Sequence, residues 1–284
     1  MSKPTVVRTR QELKGALRQL PGRLGLVMTM GALHEGHLSL IRESKKHADS
    51  VMVTVFVNPT QFAPGEDFDA YPRDLEADLE AVSRVGADLV FAPSAEEVYP
   101  HGDASVTIDP GPVAKVLEGE TRPTHFAGVC LVVHKMFNIT GADVAVFGQK
   151  DAQQLAIVRQ MVRDLDMPIE IVSAPIVRAE DGLALSSRNS YLSADERTRA
   201  LSLSKALRAG KDAASAGATS TEIKEAASSV LTDANVRIDY VELVDPVSFE
   251  SIESGEGVLA IAAYVGSTRL IDNTILEVRG ADAK

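Results

Sequence analysis

Val51-Met-Val-Thr-Val-Phe-Val57 has six apolar residues in seven, four of them valine. A strand with one wet face alternates apolar and polar residues. A run without that alternation suits a strand covered on both faces, as in a parallel sheet between helices. The flanking chain repeats the theme. Upstream, Gln11 to Leu20 reads as a helix and Leu24 to Thr29 as a short apolar strand. His37 to Ala48 reads as a helix with Leu38, Ile41 and Ala48 at helical spacing. Its last turn would hold Lys45, Lys46 and His47, where cations suit the helix dipole. Downstream, Arg73 to Val85 is an acidic helix, Asp88 to Phe91 a strand, Val129 to Ile139 a helix and Asp143 to Phe147 a second buried strand. Gln153 to Leu165 follows as a helix with Leu155, Val158, Val162 and Leu165 on one face, then Ile169 to Val172 as a strand. This alternation predicts a doubly wound α/β domain.

Around Pro175 to Ser190 the pattern changes. Helices are expected near Ala194 to Ala216 and Thr221 to Asp233. Strand-like segments follow at Val236 to Val244, Val258 to Val265 and Ile271 to Val278. Helices followed by strands suggest a separate, smaller α+β domain, so the expected division is 1–176 and 177–284. Gly255-Glu-Gly-Val-Leu-Ala260 fits the spacing of a dinucleotide fingerprint, but it precedes an apolar strand instead of opening a helix. It reads as a turn.

The 284 residues can bury an ordinary core without disulfides, and the single cysteine, Cys130, suits a reducing cytoplasm. The longest uncharged run, Ser50 to Gly65, is broken by Pro59 and Pro64 and is too short to span a bilayer. The N-terminal MSKPTVVRTRQELK lacks the apolar core of a signal peptide. With 40 acidic and 29 basic residues the net charge is −11, which disfavours a generic nucleic-acid binder. A local basic site for a small anion fits.

Met28-Thr-Met-Gly-Ala-Leu-His-Glu-Gly-His37 joins the first predicted strand to the next helix. His34 and His37 stand three apart, which puts them on one helical face. Gly31 and Gly36 let a ligand approach the backbone, and the helix start offers N–H groups and a positive dipole end. Together they suggest a phosphate site with two imidazole donors. Structural histidines and a metal pair are the competing readings.

Two further loops end predicted buried strands, where open parallel sheets bind ligands. Asn58-Pro-Thr-Gln-Phe62 contributes Gln61, although Asn-Pro also marks a plain turn. Gly148-Gln-Lys-Asp-Ala-Gln-Gln154 contributes Lys150, a cation just before a helix start, which a bound polyanion would favour. Asp151 and Gln154 have the spacing of a capping box. Leu185-Ser-Ser-Arg-Asn189 sits at the domain junction, ahead of a helix that Ser193 and Glu196 could cap. Its Arg188 presents a guanidinium fork suited to phosphate. Arg122 and His125 lie in a loop whose spacing names no chemistry. The acidic stretch Glu66 to Glu80 reads as a solvated helix face, with a metal site as the weaker alternative.

Taken in order, TMGALHEGH, FVNPTQF, YPR, EGETRPTHFAGV, VFGQKD-QQL and LSSRN-YL resemble the blocks of the pantoate–β-alanine ligase (pantothenate synthetase) family, from Thr29 to Leu192. The sequence departs from the family at Met28, usually Pro, at Ala152, often Tyr, and at Leu185, often Met. None of these removes a catalytic group. The resemblance implies a Rossmann-like nucleotidylyltransferase domain of the His-x-Gly-His superfamily, a C-terminal lid and a homodimer. It implies ATP, D-pantoate and β-alanine as substrates, Mg²⁺ as cofactor, and a pantoyl-adenylate intermediate. Residue by residue, it places Met30, Gly31, Ala32, Leu33, His34, Glu35, Gly36 and His37 on ATP. Gly148, Gln149, Lys150, Asp151, Val177, Leu185, Ser186, Ser187 and Arg188 complete that site. His37, His34, Lys150 and Arg188 would act in catalysis, and Gln61 and Gln154 would bind substrate. Metal ligands are not implied. A cytidylyl- or adenylyltransferase of the same superfamily, a synthetase fragment and a non-catalytic nucleotide-binding module are the alternatives.

Overall fold

In the computed structural model, which describes residues 3–102 and 104–279, six strands form one sheet. They are β1 (Thr5–Val7), β2 (Leu24–Thr29), β3 (Ser50–Val55), β4 (Leu89–Phe91), β5 (Val144–Gly148) and β6 (Glu170–Ala174), in the order β1-β4-β3-β2-β5-β6. Every pairing is parallel. The valine-rich run is β3, and its Val51, Met52 and Val53 are all but fully buried. Parallel neighbours need crossovers, and helices supply them. In chain order these are α1 (Arg10–Leu17), α2 (Glu35–Ser44), α3 (Leu75–Val85), α4 (Ala95–Val98), α5 (Glu118–Thr121), α6 (His125–Thr140) and α7 (Ala152–Asp164). Val27, Val53, Val90 and Val146 from the strands pack with Leu38 and Ile41 of α2 and Val82 and Val85 of α3. Burying each such side chain contributes about 2 kcal/mol. Two aspartates hold strand starts: Leu24 N–H donates to Asp143 at 2.7 Å and Val51 N–H to Asp88 at 2.8 Å.

The chain moves outward from β2 to β3 and β4, then returns to place β5 and β6 on the other side. The order therefore reverses between β2 and β5. In open α/β sheets such a reversal is where ligands bind, outside the carboxyl ends of the strands.

Some element limits differ from the sequence reading. Helix α2 begins at Glu35, two residues early, because His34 caps it with its side chain. It ends at Ser44, so Lys45 to His47 lie beyond it. Lys45 Nζ instead donates to the carbonyls of Val85 and Gly86, at the end of α3. Helix α6 starts at His125, four residues early, so His125 is helical and not in a loop.

The chain divides into two compact units. One contains the residues up to Gln149 together with Ile157–Pro175; the other contains Lys150–Ala156 and the residues from Ile176 onward. The second unit has α8 (Ala194–Ser215) and α9 (Ser220–Asp233), then the antiparallel strands β7 (Arg237–Val244), β8 (Gly255–Val265) and β9 (Thr268–Val278) in that order. Ser193 and Glu196 form the expected capping box on α8. Leu203, Leu207, Ile223, Leu231, Leu243, Leu259 and Ile261 make its core. The stretch from Gly255 to Ala260 is not a turn but the start of β8, paired from Gly255 opposite Val278. Residues 1–2 of the N-terminal stretch and 280–284 of the expected second domain lie outside the described residues. No helix among the described residues is long and apolar enough to cross a membrane.

Candidate active site

The histidine loop leaves β2 at the reversal of strand order. Gly31 takes φ +85°, and a Cβ there would stand 2.9 Å from Asp78 Oδ2, so a side chain is excluded on both counts. Ala32 follows at φ +52°, an uncommon conformation for alanine. His34 then caps α2: its Nδ1 accepts from Gly36 N–H at 3.1 Å. His37 Nδ1 accepts from His34 N–H at 3.3 Å, and the rings lie 4.1 Å apart at 35°. A nitrogen that accepts from an amide carries no proton. With both Nδ1 atoms accepting from amides, the N–H that either ring can offer to a ligand is the one on Nε2. Glu35 turns away to pair with Arg42 along α2.

The acidic stretch is a solvated face at Asp69, Asp74, Glu76 and Glu80, which are exposed, and the structure departs from that reading at Asp78. Asp78, in the first turn of α3, is 3% exposed. Its Oδ1 accepts from Leu33 N–H at 2.8 Å and its Oδ2 from Ala32 N–H at 3.2 Å. Burial raises its carboxyl above the usual range, against the pull of those two amides. Hydropathy periodicity alone does not distinguish an inward aspartate from an outward one. Among the described residues no group of three or more His, Cys, Asp or Glu is placed to hold a metal ion.

Gln61 closes a short 3₁₀ turn, Pro59–Gln61, capped by Asn58. Asn58 is 1% exposed and organises the turn. Its Oδ1 accepts from Tyr99 Oη at 2.7 Å, and its Nδ2 donates to Gln61 Oε1 at 3.0 Å and to the Gly128 carbonyl at 3.3 Å. The other end of the Gln61 amide donates to Met30 Sδ at 3.2 Å. The side chain is thus fixed at both atoms, and two residues expected at the site meet. Behind it, α6 comes so close that a Cβ on Gly128 would lie 2.1 Å from the Thr60 carbonyl oxygen. The sequence reading gives no role to Asn58, Tyr99 or Gly128, although Asn58 and Gly128 fall within the family blocks. The Asn-Pro and the helical glycine are the available signals, but neither specifies a partner distant in sequence.

Arg122 and His125 also serve this turn. The Gln61 carbonyl accepts from His125 Nδ1 at 3.0 Å and from Arg122 Nη2 at 3.3 Å. Glu66 holds the Arg122 fork with bonds of 2.7 and 2.6 Å. Burial, reinforced by the Arg122 charge, pushes His125 down to about 4. Its unfolded value is near 6.5, so between those values the unfolded chain takes up a proton that the folded one refuses. Stability from neutral His125 is present above about pH 6.5 and lost as pH falls towards about 4. The expected loss is about 2 kcal/mol by about pH 5 and about 3 kcal/mol once the pH is below the folded value, from the linkage of proton binding to unfolding. His125→Asn should remove that component. Urea midpoints of parent and variant at about pH 7.5 and about pH 5, on either side of the unfolded value, measure it; parallel shifts in the two proteins would contradict the assignment.

The second unit arranges its own candidates. Lys150 Nζ lies 3.6 Å from Asp151 Oδ1, so Asp151 offsets the cation at the start of α7. The Lys150 carbonyl accepts from Asn273 Nδ2 at 2.9 Å, which ties this segment to β9. Gln154 is half-buried in the first turn of α7, whereas Gln153 is buried. Leu185 N–H donates to the Val177 carbonyl at 3.0 Å, closing a narrow hairpin between them. Arg178 pins that hairpin with bonds of 2.6 and 3.0 Å to Asp272 on β9. Ser186 caps the 3₁₀ turn Ser187–Tyr191, its Oγ accepting from Arg188 N–H at 3.3 Å. The first unit holds Met30 to His37, Gln61, Gly148 and Gln149. The second holds Lys150, Asp151, Gln154, Val177 and Leu185 to Arg188.

A parallel sheet that reverses order beside a strand-to-helix loop, with Nδ1 of two imidazoles bonded to the loop backbone, defines a doubly wound α/β protein. The family model for pantoate-beta-alanine ligase matches residues 5–275. The pantothenate synthetase of Thermobifida fusca is 54% identical over 286 residues, covering 96% of each chain. Among solved structures, the pantothenate synthetase of Thermus thermophilus matches with a TM-score of 0.90 at 43% identity, covering 95% of this chain and 98% of that one. The pantoate-β-alanine ligase of Francisella tularensis, complexed with β-γ ATP and β-alanine, matches with a TM-score of 0.81 at 31% identity, covering 96% and 97%. The chain belongs to the pantoate–β-alanine ligase family and is an enzyme of that class.

Proposed function

We propose that the enzyme joins D-pantoate to β-alanine at the expense of ATP, through a pantoyl adenylate. A pantoate carboxylate oxygen attacks the α-phosphorus, and the bond to the leaving pyrophosphate breaks. The β-alanine nitrogen then attacks the acyl carbon, the bond to AMP breaks, and the nitrogen gives up its proton as the amide forms. The supporting observation is the pair of backbone hydrogen bonds that occupy Nδ1 of His34 and of His37. With Nδ1 of each ring committed to the loop backbone, Nε2–H is directed to stabilising charge on the phosphates as it develops. The Gly31 to Gly36 backbone would line the nucleotide, Gly148 to Asp151, Val177 and Leu185 to Ser187 would complete its site, and Lys150 and Arg188 would supply cations. Gln61 and Gln154 would bind pantoate. No acyl-enzyme nucleophile is needed, because the intermediate is a mixed anhydride. Mg²⁺ would reduce charge on the polyphosphate, a hard ion often held chiefly by phosphates and water. The family resemblance carries a homodimer, and the lone cysteine suits a cytoplasmic setting.

The test is exchange of labelled pyrophosphate into ATP, with and without pantoate. Exchange that requires pantoate and needs no β-alanine supports the adenylate; exchange indifferent to pantoate points to another nucleotidylyl transfer. Gln61→Ala should impair pantoate far more than ATP. An amide that meets a substrate oxygen discriminates strongly, because truncation leaves a buried polar group unpaired. Calorimetry should find ATP affinity largely kept. Lost ATP affinity with normal pantoate handling would mean that Gln61 serves the nucleotide.

A further inference from the structure

The proposed reaction makes no use of Asp78, yet its carboxylate is buried in the first turn of α3. A buried charge is costly, and a well-packed apolar residue in such a place commonly stabilises as well or better. No cation relieves it among the described residues: burial, two backbone amides and the like charge of Asp74 make up its surroundings. What the carboxylate holds is loop backbone. One oxygen takes Leu33 N–H and the other Ala32 N–H. Ala32 sits at positive φ, where an L-residue needs outside support. Gly31 leaves the gap through which Oδ2 reaches the loop.

The next residue is His34, whose ring caps α2 and whose own N–H holds the His37 ring. Both imidazoles therefore inherit their direction from the two peptide planes that Asp78 fixes. We infer that Asp78 is a positioning residue of the ligase: it sets the turn that aims His34 and His37 at the phosphates. This rests on the proposed phosphate role of the loop.

Two variants test it. Asp78→Asn keeps an acceptor for Leu33 but turns an NH₂ group towards the Ala32 amide. Asp78→Leu removes both acceptors and the buried charge. Both should fold. In pantoate-dependent pyrophosphate exchange, kcat/KM for ATP should fall about a hundredfold, the scale of a misplacement of about 1 Å, while KM for pantoate changes little. Long-range ¹⁵N–¹H imidazole spectra of the parent should show the Nε2–H tautomer at both histidines, and the variants should show averaged tautomers. Parental ATP kinetics in a folded Asp78→Asn overturn the inference, and so do parental imidazole signals. Failure of both variants to fold also overturns it, since the carboxylate would then serve the fold. If the parent itself shows no pantoate-dependent exchange, the functional reading falls, and the imidazole spectra alone decide whether Asp78 positions the loop.

Discussion

His37→Ala is expected to lower pantoate-dependent pyrophosphate exchange a hundredfold or more while leaving a folded protein. Losing one preorganised donor to the transition state typically costs about 3 kcal/mol. The substitution also removes the acceptor for His34 N–H, a capping contact expected to stabilise by about 1 kcal/mol. Two companion variants separate these effects. In His37→Asn the amide oxygen can replace Nδ1 as acceptor, but nothing reaches the position of Nε2. In His37→Gln the amide nitrogen can reach towards that position. If the Nε2–H is the catalytic donor, the asparagine variant regains stability without activity and the glutamine variant regains part of the activity. A folded His37→Ala with near-normal exchange would remove His37 from the chemistry.

The second large effect is expected at Lys150, and it should divide between the half-reactions. The Lys150 backbone is anchored through Asn273 on β9, and its ammonium stands 3.6 Å from the Asp151 carboxylate. Asp151 therefore already relieves part of the repulsion that a cation feels at a helix start. A polyphosphate would relieve more. Charge grows on pyrophosphate as it leaves, and a cation stabilises that state; the amine's later attack on the acyl carbon expels AMP, which carries less charge. Lys150→Ala should thus cut pantoate-dependent exchange by about a hundredfold or more, the scale for losing a charge-stabilising group. Given preformed pantoyl adenylate and β-alanine, the same variant should keep much more of its rate. Alanine is the informative substitution, since glutamate would add repulsion to the loss. Equal damage to both steps would sink this division, and normal exchange would exclude Lys150 from the reaction.

Elements whose evidence is local are legible in the sequence. The near-continuous apolarity of Val51 to Val57 reports burial on both faces, and burial on both faces implies a parallel sheet. The capping box of Ser193 and Glu196 lies within four residues, and so does the pairing of His34 with His37. The family blocks are readable because each is contiguous. β1 escapes a sequence reading because three residues, Thr5–Val7, carry no period, and their strand exists only by pairing with β4.

The tertiary structure decided what depends on distant partners. Periodicity puts Asp78 on an acidic helix but does not show that it faces the loop at Ala32 and Leu33, 46 and 45 residues away. The close approach of Gly128 to Thr60 and the grip of His125 on Gln61 join residues far apart in the chain and leave no local pattern. The start of α2 is a local exception. Apolar spacing places it at His37, whereas a side-chain cap moves it to Glu35. Sequence by itself determines which segments must be buried and which residue types can bear the chemistry. The folded chain determines which oxygen meets which amide, because hydrogen bonds depend on distance and angle, and for distant residues only packing sets those.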